Sequence, residues 1–99
     1  MRKARSRAVP AAGVAFSSSF KRAFKRRIKG SAVLEARFWE RLEMFRNNPF
    51  DRRLKTHKLS GRLKDLWGFS IEYDLRIVFS FVEGERALFV DIGAHNEVY

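Results

Sequence analysis

Three runs in the second half of the chain alternate apolar and polar residues, and they constrain the fold more than any other feature. The runs cover residues 67–73, 75–81 and 88–92, with large apolar side chains at every second position. A period of two is typical of strands that have one buried face. Short breaks at residues 73–74 and 83–85 separate the runs. Because breaks this short join neighbouring strands, the pattern predicts an antiparallel three-stranded meander.

A helical segment with one apolar face comes well before these runs. Phe20, Phe24 and Ile28 recur at four-residue spacing, which places them on the same side of a helix. The serines at positions 17–19 are candidates to cap its N-terminus, and Gly30 is a natural end.

A second helix is predicted over residues 32–46. Its buried stripe has four members: Leu34, Phe38, Leu42 and Phe45. Pro49 disfavours helical geometry at Asn48, so the helix should end there. Since only residues 30–31 separate the two helices, they are expected to form an antiparallel hairpin.

Helices followed by strands predict an α+β domain, with two N-terminal helices packed on a small antiparallel β-sheet. Residues 15–16 are expected to add a short edge strand before the first helix. Ser70, Glu72 and Arg76 fall on the sheet face opposite the helices, which should be open to a ligand. Trp39 and Trp67 are expected in the core rather than as base-stacking platforms.

The charge balance indicates an anionic partner. The chain has 21 Lys and Arg against 11 Asp and Glu, a formal net charge of +10. A surface this basic attracts polyanions, so RNA, DNA, anionic lipid and an acidic protein all remain open. Binding of the first helix to a membrane surface is the weaker alternative, because the second helix can cover its apolar face.

Several classes of site are excluded by composition. Cysteine is absent, which removes disulfides, thiolate nucleophiles and cysteine zinc sites. The two histidines lack the spacing of a metal-ligand pair, and no phosphate-binding glycine loop occurs. No apolar run approaches the roughly 18 residues that span a bilayer. We therefore expect a cytoplasmic protein without a metal or cofactor.

Residues 1–13 form a basic arm that is expected to lie outside the folded domain, which covers residues 14–99. The arm carries four Lys or Arg residues and shows no amphipathic period. Two interpretations stay open. The arm contacts phosphates, or it reflects the choice of start site, since Val14 is itself a candidate first residue.

The candidate chemical groups are the two histidines and their expected neighbours. Cleaving RNA without a metal needs a base for the 2′-OH, a cation for the phosphate and an acid for the 5′-oxygen. His57 and His95 are the candidate base and acid, Arg76 the candidate phosphate ligand, and Asp74 and Tyr99 orienting or stacking groups. Turn capping and ion pairing are the simpler interpretations of Asp74 and Arg76. The candidate RNA-binding residues are Lys55, Lys58, Arg62 and Lys64.

Several separate motifs resemble one protein family. They are HKLSGRLKDLWGFSIEYDLRIVFSF at residues 57–81 and FVDIGAHNEVY at residues 89–99. FSSSFKRAFKRR at residues 16–27 and NNPFDRRLKTHKL at residues 47–59 fit the same pattern. Together they resemble the RelE/ParE superfamily of bacterial type II toxins, and the YafQ-like branch is nearest.

This resemblance implies a microbial ribonuclease-like fold and an mRNA endoribonuclease that acts on the ribosome during translation and stops growth. It also implies a cognate antitoxin as protein partner. By position, His57, Asp74 and His95 match catalytic residues of the YafQ-like branch, and Tyr99 matches its catalytic aromatic residue. Arg76 matches a phosphate-binding arginine of RelE-type relatives.

Ser70 is the main departure from the family pattern. It stands where the nearest branch has a further catalytic histidine. A serine hydroxyl cannot replace imidazole as an acid or base near neutral pH. Activity would then rest on His57, His95 and Arg76, or be weakened.

Two other functions fit the same sequence. One is a toxin without nuclease activity that inhibits DNA gyrase, as the resemblance to the ParE branch would imply. The histidine pair argues against it, because such an inhibitor needs no groups for proton transfer. The other is a basic RNA-binding module, which would bind without arresting growth.

Overall fold

In the computed structural model, residues 13–83 and 86–94 are described. The predictions for the basic arm, for the tip of the turn at residues 84–85 and for His95 and Tyr99 lie outside these ranges. The helices are α1 (Ser18–Arg27) and α2 (Ala32–Asn47). The strands are β1 (Gly13–Phe16), β2 (His57–Lys58), β3 (Trp67–Glu72), β4 (Leu75–Val82) and β5 (Arg86–Ala94). Two short 3₁₀ turns, Arg52–Leu54 and Gly61–Leu63, flank β2.

Serine side chains begin both helices. The Ser17 hydroxyl accepts from the Phe20 amide at 3.0 Å, and the Ser31 hydroxyl accepts from the Leu34 amide at 3.2 Å. Each bond satisfies an amide that the helix itself leaves unpaired. Gly30 adopts a φ of 99°, the left-handed geometry that glycine tolerates best, and this allows the chain to reverse between the helices. The two predicted helices and the predicted serine cap of α1 are confirmed, whereas the cap at Ser31 was not predicted.

One five-stranded sheet carries both helices. Its strand order is β1-β5-β4-β3-β2. Strands β3, β4 and β5 form the predicted antiparallel meander, and the two helices pack on one face, as an α+β domain requires. The edge strand β1 pairs in parallel with β5, so the sheet is mixed rather than purely antiparallel. Strand β2 has two residues, too few for a periodic signal, and was not predicted.

Phenylalanine fills the space between α2 and the sheet. The ring of Phe45 lies 4.8 Å from that of Phe69, 5.0 Å from that of Phe79 and 5.3 Å from that of Phe89, measured between centroids. All four side chains are fully buried. Phe45 therefore joins α2 to three strands at once.

The phase of β5 differs from the predicted one. Phe79 pairs with Phe89 and Val78 pairs with Asp91, so Val90 is an extra residue in the ladder. Such a bulge exchanges the faces of the residues on its two sides. Phe89 consequently points into the core, and Val90 lies on the opposite face. The prediction that Leu88, Val90 and Ile92 share one face was wrong for this reason.

The prediction that both tryptophans lie in the core was wrong for one of them. Trp39 is 52% exposed on α2, at the edge of the apolar stripe. Trp67 is half-buried and packs against the core from the end of the sheet. Within residues 13–83 and 86–94, neither helix has the length and apolar content needed to cross a membrane.

Asp51 holds the turn that follows α2. Arg53 donates to its carboxylate from Nε at 3.0 Å, from Nη2 at 2.8 Å and from the backbone amide at 2.9 Å. The side-chain hydrogen bonds from Arg53, followed by the backbone bond, lower the pKa of Asp51 to about 2.

We expect an NMR titration of the folded protein to give the Asp51 carboxyl a midpoint of about 2. This pKa lies below the value of about 3.9 that an aspartate has in an unfolded chain. The ion pair of Asp51 and Arg53 therefore stabilises the fold fully at pH values above about 3.9. Its contribution is lost as the pH falls through the folded pKa. Arg53→Ala should raise the midpoint only part of the way to the unfolded value, because the backbone amide of residue 53 still donates to the Asp51 carboxylate. A wild-type midpoint already near 4 would contradict the assignment.

Candidate functional site

The sheet face opposite the helices has a row of three paired positions at its centre. Ser70 in β3 pairs with Arg76 in β4, and Arg76 pairs with Gly93 in β5. Directly opposed residues of antiparallel strands point to the same side, so alternation places both polar side chains on this face, as predicted. The expectation that they are openly exposed was wrong. Ser70 is 7% and Arg76 is 8% exposed.

Ser70, the residue that departs from the family pattern, holds Arg76 in place. Arg76 Nη1 donates to the Ser70 hydroxyl oxygen at 2.8 Å. Burying a guanidinium is costly unless its donors are bonded, and this bond lowers that cost without neutralising the charge. A fixed cation in a partly dry environment interacts with a phosphate more strongly than a mobile surface cation does.

His57 lies at the edge of the same face. It pairs with Gly68, which pairs with Val78, so the position points to the same side as Arg76. His57 Nδ1 lies 2.9 Å from the carbonyl oxygen of Lys55. A carbonyl only accepts, so Nδ1 carries the proton and Nε2 is the basic nitrogen of the neutral ring. His57 therefore presents Nε2 as its accepting nitrogen, and neighbouring atoms shield this nitrogen from solvent.

His57 and Arg76 lie on the same sheet face but on different strands, β2 and β4. Their Cα atoms are two strands and two residues apart, about 12 Å at ordinary strand spacing and rise. The Arg76 guanidinium reaches back to Ser70, however, and Ser70 is one strand and two residues from His57, about 8 Å between Cα atoms. Leu59 packs against Val78 on this face, so an apolar side chain covers part of the space beside His57.

A cleft of about 540 Å³ opens beside this row, between the end of α1, the turn at residues 61–66 and β5. Four charged residues line it, three arginines and one aspartate: Arg26, Arg27, Arg62 and Asp91. The apolar floor comes from Leu66, Val78 and Val90. Gly93 also lines the cleft, and it is the strand partner of Arg76. Cations above an apolar floor can hold a phosphate and the base next to it.

Arg26 and Arg27 were missed as candidate residues, although the sequence carries a partial signal for them. The Ser19 hydroxyl donates to the carbonyl of the bulge residue Val90 at 2.6 Å, which ties α1 to β5. Residues seven apart share a helix face, so Arg26 follows Ser19 to this side. The docking of α1 on β5 was not readable from the helix pattern alone.

The remaining predicted residues are distributed over different surfaces. Asp74 is exposed in the turn between β3 and β4. Ala94 pairs with Leu75, so β5 ends beside that turn, and His95 and Tyr99 follow outside the described residues. Among the predicted RNA-binding residues, Arg62 lines the cleft and Lys64 is exposed in the same turn. Lys55 and Lys58 are exposed on either side of His57.

No family model and no curated protein matches this chain. Solved structures do match its fold. A YoeB/ParE toxin from Agrobacterium tumefaciens is similar with a TM-score of 0.68 and 15% identity, over 84% of this chain and 98% of that one. A chain of the toxin–antitoxin complex RelBE2 from Mycobacterium tuberculosis has a TM-score of 0.68 and 14% identity, over 92% and 98%. YafQ from Escherichia coli has a TM-score of 0.62 and 15% identity, over 85% and 93%. At these identities the likeness establishes a shared RelE-like toxin fold.

Proposed function

We propose that this protein is the toxin of a type II toxin–antitoxin system, and that it is a metal-independent endoribonuclease that cleaves mRNA on the ribosome. The observation that carries the proposal is Arg76, a buried arginine held by Ser70 beside a cleft lined by three more arginines. Support comes also from the fold shared with structures described as toxins. The motifs at residues 57–81 resemble the YafQ-like branch, which implies ribonuclease activity.

In the proposed reaction, a base removes the proton from a ribose 2′-OH and the oxygen attacks the adjacent phosphorus. The bond to the 5′-oxygen breaks, and an acid protonates that oxygen as it leaves. His57 has the tautomer for the base, acting through Nε2. Arg76 stabilises the charge that builds on the phosphate. His95 is the proposed acid, with Asp74 and Tyr99 as orienting and stacking groups.

Ser70 has a positioning role in this mechanism. It cannot transfer protons at neutral pH, but it fixes the guanidinium of Arg76 over β3, on the side of His57. The fixed charge of Arg76 then supplies part of the charge stabilisation that a further histidine would contribute. The site would therefore depend more heavily on Arg76 than a site with three histidines does.

The proposed partners follow from charge and from the fold. The net charge of +10 suits both ribosomal RNA and an acidic antitoxin, and binding to either should weaken as salt is added. The RelBE2 structure, which shares the fold, is a toxin–antitoxin complex. The RNA-binding residues Lys55, Lys58, Arg62 and Lys64 would contribute to ribosome and mRNA binding.

The function is tested by inducing the chain alone and together with the small gene beside it. We expect induction alone to stop growth, with cuts in cellular mRNA that follow the codon phase, and co-induction to relieve both effects. His95→Ala should remove the cuts and the growth arrest while antitoxin binding persists. Growth arrest with intact mRNA and inhibited DNA supercoiling would instead establish the gyrase inhibitor. Binding to RNA without growth arrest would establish the plain binding module.

A further inference from the structure

Three aromatic rings, two exposed and one half-buried, form a cluster on the helix side of the sheet, on the face opposite Arg76. Phe50 stacks on Phe81, with ring centroids 5.8 Å apart and an angle of 29° between the planes. Trp67 meets both rings edge-on, at 5.6 Å from Phe50 and 5.2 Å from Phe81. Phe50 is 54% and Phe81 is 36% exposed. Contiguous exposed apolar surface of this kind marks a binding site more often than an accident of packing.

The backbone that carries Phe50 is anchored, so its exposed ring has a fixed position. The Phe50 amide donates to the Asn48 side-chain oxygen at 3.0 Å. Thr56 Oγ1 donates to the carbonyl oxygen of Pro49 at 2.5 Å, and Pro49 itself is buried. A ring that is already ordered loses little conformational freedom when a ligand stacks on it.

Positive charge flanks the rings on two sides. Phe50 lines a shallow cleft of about 610 Å³ together with Arg52 and Arg53. Both arginines are exposed, and Arg53 is paired with the carboxylate of Asp51, which also lines this cleft. On the other side, Lys58 Nζ lies 5.9 Å from the centre of the Trp67 ring. Two of the three rings thus have a cation nearby, Arg52 beside Phe50 and Lys58 beside Trp67.

We propose that the cluster of Phe50, Trp67 and Phe81 is a base-stacking platform for single-stranded RNA, distinct from the site around Arg76. Every base has a face that stacks on an aromatic ring, and cations beside the rings hold the phosphates. A groove on the helices, lined by Phe24, Phe38 and Trp39, differs in being almost wholly apolar, which suits a protein segment better. This inference rests on the proposed function in one respect, the choice of RNA as the ligand.

The edge strand β2 connects the platform to the candidate active site. Successive residues of a strand point to opposite faces. His57 points to the Arg76 side, and Lys58 points to the Trp67 side. A single strand of RNA that passes over this edge would contact the platform on one face and His57 on the other. The platform would thus hold nucleotides next to the one that is cleaved.

Trp67 can report this contact directly. The chain has two tryptophans, so Trp39→Phe leaves Trp67 as the only indole. We expect a 2′-O-methyl uridine decamer, which cannot be cleaved by 2′-OH attack, to quench the Trp67 emission of this variant. Adding Phe50→Ala should weaken binding of the decamer about 10-fold. Phe50→Tyr, which keeps the ring, and Val33→Ala, at an exposed apolar position elsewhere on α2, should stay within about twofold of the Trp39→Phe parent.

The outcomes separate this inference from the proposed function. Equal affinity with and without the Phe50 ring, or binding that leaves Trp67 emission unchanged, would overturn the platform. Polyglutamate binding that depends on the Phe50 ring to the same extent would also overturn the platform. That result would assign the surface to an acidic protein. If the wild-type protein fails to cleave translated mRNA while the decamer behaves as expected, the proposed function fails and the platform stands. If cleavage occurs and the Phe50 variants bind equally, only the platform fails.

Discussion

Replacing Arg76 by alanine is expected to lower the rate of mRNA cleavage on ribosomes by about 10²–10³-fold, the usual loss when one preorganised donor to a developing charge is removed. Arg76 is the fixed cation at the centre of the sheet face opposite the helices, where it is 8% exposed. Water screens a charge in such a position poorly, so a surface cation cannot replace it. The rate is measured by single-turnover cleavage of an mRNA held on purified ribosomes.

Two further variants separate the effect of the Arg76 charge on the rate from the effect of its position. Arg76→Lys keeps a positive charge but loses the planar fork and its fixed geometry, so an intermediate rate is expected. Ser70→Ala removes the 2.8 Å bond that positions the guanidinium, and should cost about 10-fold in rate while leaving the charge in place. Urea unfolding establishes that each variant is folded, since Arg76→Ala leaves a buried hydroxyl without this partner. A folded Arg76→Ala protein with the wild-type rate would refute the assignment.

Phe45→Ala is expected to lower the free energy of unfolding by about 3–5 kcal/mol, the usual cost of truncating a buried phenylalanine. Phe45 is fully buried and packs on Phe69, Phe79 and Phe89, so the cavity would lie between α2 and three strands. A domain of this size has a total stability of about 5–15 kcal/mol, and the loss is a large part of it.

Equilibrium urea unfolding followed by circular dichroism measures this loss. Val33→Ala is the matched control, because Val33 lies on the same helix and is 69% exposed. It should change the free energy of unfolding by no more than about 0.5 kcal/mol. Similar losses for the two variants would show that Phe45 is not the central contact between the helix and the sheet.

The sequence predicted those parts of the fold in which the apolar residues keep the same spacing along the whole element. In β3 and β4, alternation places Phe69 and Phe79 in the core and puts Ser70 and Arg76 on the other face, as the structure has them. In β5 the same reasoning failed because one extra residue, Val90, changes the phase within the strand. A bulge depends on the pairing of two strands, and the alternation of one strand does not reveal it.

The candidate site was predicted only in part, because its burial and neighbours depend on tertiary packing. The alternation identified the face of Arg76, but the turn at residues 59–66 that packs on this face has no periodic pattern. Trp39 was misplaced because an apolar stripe does not specify how far the neighbouring helix covers its edge. Arg26 and Arg27 reach the cleft only because α1 docks on the bulge in β5.

The proposed function requires that this chain cleave mRNA on the ribosome through the site around Arg76. Primer extension on an mRNA translated by purified ribosomes, with and without the purified protein, tests it most directly. We expect new 5′ ends that follow the codon phase, that need ribosomes, and that disappear with the folded Arg76→Ala variant. Intact mRNA in the presence of the folded wild-type protein, or cleavage that persists at the same rate in the Arg76→Ala variant, would contradict it.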